Sequence, residues 1–149
     1  MGTPLPAYAE LMCLSAFSFL RGASQPDELV RRAHALGYSA LALTDECSLA
    51  GVVRAYTRLK RLREAEGPDA ALPRLLIGAE FLVRDDATDA PDFKIVAIAQ
   101  HLEGYGNLCQ FITRLRRESP TKGQYRLRRA QLMPGRLAGC QIILLPRRE

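Results

Sequence analysis

The chain has 149 residues, 48% hydrophobic and 25% charged, an ordinary balance for one globular core and unlike a disordered or disulfide-built chain. Twenty-one basic against 16 acidic side chains leave a formal charge of +5. No apolar run approaches the roughly 20 residues of a membrane span, so no membrane partner is expected. The opening MGTPLPAYAE lacks a basic stretch followed by an apolar one, so no secretory leader is expected. Cys13, Cys47, Cys109 and Cys140 are widely spaced, without a C-x-x-C pair. That pattern speaks for free thiols in a reduced, cytoplasmic protein rather than for zinc.

In chain order, residues 1–7 read as an N-terminal tail and 8–149 as one partial domain. YAELMCLS (8–15) is a predicted strand, followed by the loop FSFLRGAS. Ser24 is the expected cap of a helix that carries Pro26, Asp27 and Glu28 in its first turn. Leu29, Val30, Ala33 and Leu36 recur at helical spacing, and Gly37 ends that helix. Residues 39–43 are a second strand. Residues 49–65 are a second helix, with RLKRLRE on its wet side. After the loop GPDAALP, RLLIGAEFLV (74–83) is a third strand, broken at Gly78. RDDATDAPD is an acidic turn, and FKIVAIAQ (93–100) is a fourth strand. A helix begins near 104–107, and GCQIILLP (139–146) is a final strand stopped by Pro146.

The order β-α-β-α-β-β-α-loop-β predicts an α/β fold, with mainly parallel strands covered by helices. Such folds place their sites at the C-terminal ends of strands. Thr44-Asp45-Glu46, Glu80 and the end of the first strand would then meet at one rim. The apolar strand QIILL so close to residue 149 suggests the front part of a larger barrel.

The stretches YAELMCLSAFSFLRGAS, ALGYSALALTDECSLAGVVRAY, LLIGAEF and EGYGNLCQFITRLRRESPTKGQYRL resemble, in order and spacing, the N-terminal PHP (polymerase and histidinol phosphatase) domain of bacterial C-family DNA polymerases. The resemblance is strongest to the error-prone, damage-tolerant branch and runs from about Tyr8 to Pro146. It implies the front part of a distorted (β/α)7 PHP barrel. In metal-active members the first strand carries H-x-H; here Met12 and Leu14 stand at those positions. Arg21 takes a loop acidic-ligand position, and Glu46 replaces the histidine of T-D-H after Asp45. Glu80 keeps the family glutamate, and Lys94 stands where a later histidine would be.

The chemistry of that departure follows from the residues. A multinuclear hydrolytic centre needs several imidazoles and carboxylates. This chain has two histidines. His34 reads as a surface or helix-end residue. His101, at a strand's carboxyl end, is the better candidate for a function, though neither has a partner at metal spacing. No metal and no cofactor are therefore expected on this chain. Instead Arg21 and Lys94 are expected to neutralise Glu46 and Glu80. Asp45 faces the same former pocket, caps the turn or helix after its strand, or does both.

The segment 114–129 is dense in cations: Arg114, Arg116, Arg117, Lys122, Arg126, Arg128 and Arg129, with Arg147 and Arg148 further on. Such clustering suits phosphate backbones or an acidic partner, and sequence does not separate the two. The resemblance implies a parent DNA-directed DNA polymerase that uses Mg2+ in translesion synthesis, with its catalytic carboxylates outside this chain. A metal-dependent PHP phosphoesterase and a non-catalytic module binding replication or damage-response proteins are the alternatives.

Overall fold

The computed structural model describes residues 7–133 and 135–146. Most of the tail expected at residues 1–7, and Arg147 and Arg148, lie outside the described residues. The described elements are β1 (Ala9–Cys13), α1 (Pro26–Ala35), β2 (Ala40–Leu43), α2 (Val52–Glu66), β3 (Arg74–Arg84), β4 (Pro91–Ala99), α3 (Leu102–Glu118), β5 (Leu127–Arg128) and β6 (Cys140–Leu145). A single turn of 3₁₀ helix, Arg129–Gln131, follows β5.

These elements make one mixed sheet in the order β1-β2-β3-β4-β6, with β5 paired to the far end of β3. β1, β2 and β3 pair in parallel, as the alternation of short strands and helices predicts. β4 departs from that expectation and lies antiparallel to both β3 and β6. The reason is the length of its connection. Only the turn around Asp85–Ala90 separates it from β3, too short for a crossover helix. Asp85 Oδ1 accepts from the backbone N–H of Ala87 and Thr88 and from the Thr88 hydroxyl, which closes that turn. Because β6 opposes β4 in turn, β4 alone among the described strands runs against the rest. The result is a half-barrel with helices on its outer face.

Gly78 does not break the third strand. It marks the point where β3 changes partners: Arg74–Ile77 pair with β2, while Gly78–Arg84 pair with β4. A Cβ at Gly78 would meet the Ala97 carbonyl oxygen at 2.6 Å, so the close approach of β4 needs glycine.

α1 starts one residue later than its expected cap. Gln25, not Ser24, is the N-cap, and its backbone N–H donates to the Glu28 carboxylate at 2.8 Å. Gly37 ends the helix as expected, at φ 69°, with the Tyr38 N–H returning to the Ala33 carbonyl. α3 begins at Leu102, earlier than the sequence predicts, because the His101 imidazole Nδ1 accepts from the Gly104 N–H. The role of His101 in this structure is therefore a helix cap. His34 pairs with Glu66 at 2.9 Å across α1 and α2, in line with a surface reading.

Two apolar layers cover the outer face. Val30, Ala33 and Ala55 of α1 and α2 pack on Leu41 and Leu43. Leu108, Phe111 and Leu115 of α3 pack on Ala79, Phe81, Val83, Ile95 and Ala97. Phe81 meets Phe111 edge-on, with ring centroids 5.2 Å apart. The strand positions between these residues point to the concave side, where Ala42, Val96 and Ile98 form a third cluster with Leu76, Ile143 and Leu145. That alternation puts Met12, Glu80 and Lys94 on the concave side too.

Candidate functional site

The concave rim is built where β2 gives way to the loop before α2. Thr44 closes the β1–β2 ladder: its N–H donates to the Cys13 carbonyl, and its Oγ1 accepts from the Cys13 N–H at 3.0 Å. Pairing with β3 then continues past β2 through a bridge between Glu46 and Glu80 and a Cys47 N–H to Glu80 carbonyl bond. Glu80 thus sits inside β3, within the predicted span 74–83, and not at that strand's C-terminal end.

Asp45 is 1% exposed, and its carboxylate is fully occupied by the loop after β1. Oδ1 accepts from the Ser15 N–H and the Ser18 hydroxyl, and Oδ2 accepts from the Ser15 hydroxyl, each at 2.7 Å. Three short bonds to one buried charge offset its desolvation. Asp45 is therefore neither a helix cap nor the partner of a cation: it fastens the loop 15–24 to the sheet. Ser15 and Ser18 hold this carboxylate in place, and the sequence reading missed them. The signal was available in their small polar side chains flanking an aromatic within LSAFSFL.

Glu80, 2% exposed, takes two cations on one oxygen: Arg21 Nη1 at 2.6 Å and Lys94 Nζ at 3.0 Å. Arg21 Nη1 also reaches Glu46 Oε2 at 2.9 Å. Two carboxylates and two cations thus close a cluster that is neutral overall. Burial opposes the charged form of Arg21, but the hydrogen bonds and charges of Glu80 and Glu46 outweigh it and raise its pKa. The other oxygen of Glu46 accepts from the Tyr125 hydroxyl at 3.0 Å, and that hydroxyl accepts from the Leu82 N–H at 2.8 Å. Burial pushes the Tyr125 phenol well above its usual range; the Leu82 N–H opposes this and Glu46 adds to it. Tyr125 was not legible as a site residue, because the arginines of QYRLRR dominate that stretch. The alternation of Tyr125 and the buried Leu127 with exposed Arg126 and Arg128 was its only signal.

The residues present do not fit a metal centre. Met12, 45% exposed, and Leu14, half-buried, offer no oxygen or imidazole donor. Asp45 is consumed by serines, and Glu80 already carries two cations. Among the described residues no group of three or more His, Cys, Asp and Glu side chains gathers where it could hold a metal ion.

The basic segment does not present one face. Arg116 turns inward: Nη2 donates to the Cys47 carbonyl at 3.1 Å, Nη1 donates to the Gly123 carbonyl at 2.6 Å, and the guanidinium lies 5.5 Å from the Tyr125 ring centroid. Arg126 is bonded to Asp89, with Arg128 3.9 Å from the same carboxylate, and Arg129 is bonded to Asp92. Arg114, Arg117 and Lys122 are exposed and carry no ion pair among the described residues.

With this geometry in view, the comparisons with known proteins converge. The PHP domain family matches residues 10–138, and the chain belongs to that family. It is 51% identical over 150 residues to an error-prone DNA polymerase of Ralstonia nicotianae, covering 95% of this chain and 13% of that protein. It is 53% identical over 132 residues to an error-prone DNA polymerase of Bordetella parapertussis, covering 89% of this chain and 12% of that one. The chain thus spans about an eighth of the length of these relatives, and the sequence resemblance to their PHP domain is borne out. Two solved structures share the fold. A metal-dependent phosphoesterase from Bifidobacterium adolescentis has a TM-score of 0.54 at 20% identity, covering 77% of this chain and 35% of that one. An amidohydrolase from Chromobacterium violaceum has a TM-score of 0.54 at 24% identity, covering 74% and 34%.

Proposed function

We propose that this chain is the PHP portion of an error-prone DNA-directed DNA polymerase acting in translesion synthesis, and that it serves as scaffold rather than catalyst. The identity to polymerases of that description supports the parent assignment. The observation that carries the scaffold role is the pair of cations on Glu80, where Arg21 and Lys94 supply the positive charge that a hydrolytic PHP site would draw from metal. The vestigial pocket then comprises Met12, Leu14, Arg21, Asp45, Glu46, Glu80 and Lys94, and no catalytic residue lies in this chain. The parent would use Mg2+ and deoxynucleoside triphosphates at carboxylates elsewhere and work in the cytoplasm. DNA is its partner, with other replication or damage-response proteins beside it. No described helix is long and apolar enough to cross a membrane.

Two measurements test this reading. The purified chain is titrated with Mn2+ and Zn2+ and assayed on a phosphodiester; neither stoichiometric binding nor turnover is expected. Retained metal with turnover that disappears in Glu80→Gln would establish the phosphoesterase instead. The chain is also grafted in place of the PHP domain of the Ralstonia polymerase, and primer extension across an abasic template is followed. A folded chimera that has lost extension would rule out the scaffold role.

A further inference from the structure

The loop between β1 and α1 holds aromatic rings in water on a rigid frame. Phe19 is 83% exposed and Phe17 40%. Neither exposure comes from a loose chain. Ser18 N–H donates to the Ser15 carbonyl, and Arg21 and Gly22 N–H both donate to the Ser18 carbonyl. Ala16 N–H donates to the Ser24 carbonyl, and the Ser18 hydroxyl is clamped between Asp45 and the Glu46 N–H. A Cβ on Gly22 would meet the Ser15 carbonyl oxygen at 1.9 Å, so the loop closes on itself as only glycine permits. An aromatic held out this way loses apolar burial yet has already met the entropy cost of ordering, which is the condition for a contact platform.

Both rings line a cavity of about 480 Å³ whose remaining walls include Tyr125, Arg84 and Arg116. Glu46 is the one acid among its lining residues, and both of its carboxylate oxygens are engaged, by Arg21 and by the Tyr125 hydroxyl. The cavity therefore sets two guanidinium charges and aromatic faces side by side without a free carboxylate to repel an anion. Arg84 Nη1 donates to the Asp89 carbonyl and Arg116 to the Cys47 and Gly123 carbonyls, so each is a fixed cation with only its remaining N–H groups for a ligand. Flat rings next to fixed cations match a base next to its phosphate.

We propose that this cavity and its aromatic loop bind single-stranded nucleic acid, with a base on Phe19 and backbone phosphate at Arg84 and Arg116. The site is separate from the exposed Arg114, Arg117 and Lys122 and adjoins the ion-pair cluster at Glu80 through Glu46, which belongs to both. It stands on this geometry whether or not the parent is a polymerase. Charge complementarity favours a nucleic acid over an apolar peptide, because a hydrophobic side chain seated there would bury Arg84 and Arg116 beside it.

The chain contains no tryptophan, so Phe19→Trp installs a single reporter at the platform. The probe is a thymidine oligomer of about 15 nucleotides, near the upper end of what one single-strand module covers. Its control is an oligomer with the same number of phosphates and abasic sugars. The thymidine strand is expected to quench the tryptophan and to bind about tenfold more tightly than the abasic strand, as stacking of one to two bases predicts. Phe19→Ala, at an exposed position and with an unchanged thermal melt, is expected to remove that preference. Two phosphate contacts predict a log–log salt slope of about −1.4. Equal affinity for the two strands, unchanged emission, or wild-type preference in Phe19→Ala would each overturn the proposal. Such results would leave the scaffold reading untouched, since the metal titration does not involve this loop and a Phe19→Ala chimera, compared with the unchanged one, separates loss of this site from loss of the scaffold.

Discussion

Lys94 and Glu80 meet at 3.0 Å as diagonal neighbours across the β3–β4 ladder, because the register sets Leu82 opposite Lys94 and Val96 opposite Glu80. Side chains two residues out of register on antiparallel strands share a face and come within reach when one of them is long. Glu80 is almost wholly buried while Lys94 and Arg21 are each about one-third exposed. Lys94→Ala and Arg21→Ala should each lower stability by about 1–3 kcal/mol, between the values for exposed and buried pairs. Lys94→Ala combined with Glu80→Gln should recover part of the Lys94→Ala loss. Urea denaturation of the three variants provides the check, and an additive double variant would mean that Lys94 and Glu80 are not coupled.

Asp45 predicts a graded pair of effects. Asp45→Ala strips the acceptor from Ser15 and Ser18 and should cost about 3–5 kcal/mol. Asp45→Asn can keep one oxygen on the Ser15 N–H and Ser18 hydroxyl, while the Ser15 hydroxyl rotates to accept from the new amide. It should cost only about 1–2 kcal/mol, the charge-assisted part. Proteolysis within the loop 15–24 should rise in the same order, since the loop hangs from this carboxylate.

The thiols predict an alkaline limit. Burial pushes Cys47 up to about 11, with Arg116 opposing, and burial likewise pushes Cys13 up to about 11. Both folded values lie above the ordinary thiol range, so the folded state holds its protons longer than the unfolded one. The resulting stability is complete below the unfolded thiol pKa and is lost as pH rises through about 11. The melting temperature should therefore fall between roughly pH 9 and 11, and Cys47→Ala should fall less steeply over that window. Parallel curves for the two proteins would remove Cys47 from this account.

Duplex DNA tests the basic segment. With Arg126, Arg128 and Arg129 set against Asp89 and Asp92 and Arg116 turned inward at the cavity, the cations of the segment left for duplex phosphate are Arg114, Arg117 and Lys122. Three contacts on duplex DNA predict a log–log salt slope of about −2.7. Replacing all three with Ala should flatten it, whereas replacing Arg126, Arg128 and Arg129 should change affinity less. The reverse ranking would show that the arginines leave their carboxylates to bind DNA.

The sequence alone determined the elements whose signals are local. The first helix followed from apolar periodicity with a proline start and a glycine stop, the second from apolar periodicity over 49–65, three residues ahead of its observed start at Val52, and β2 and β6 from short apolar runs. The motif positions Arg21, Glu46, Glu80 and Lys94 were legible as a set only through the resemblance to the PHP domain, at whose ligand positions they stand. Tertiary structure alone decided what those positions do to one another. That Gly78 hands β3 from β2 to β4 depends on how closely the Ala97 carbonyl approaches. That Asp45 serves Ser15 and Ser18 rather than a cation depends on how the loop folds back over the strand end. That Arg116 turns inward while Arg114 and Arg117 stay in water depends on which side of α3 meets the sheet. Periodicity and propensity act over a few neighbouring residues, whereas charge pairing and close backbone approach are set by distances between segments dozens of residues apart, and only the folded chain fixes those distances.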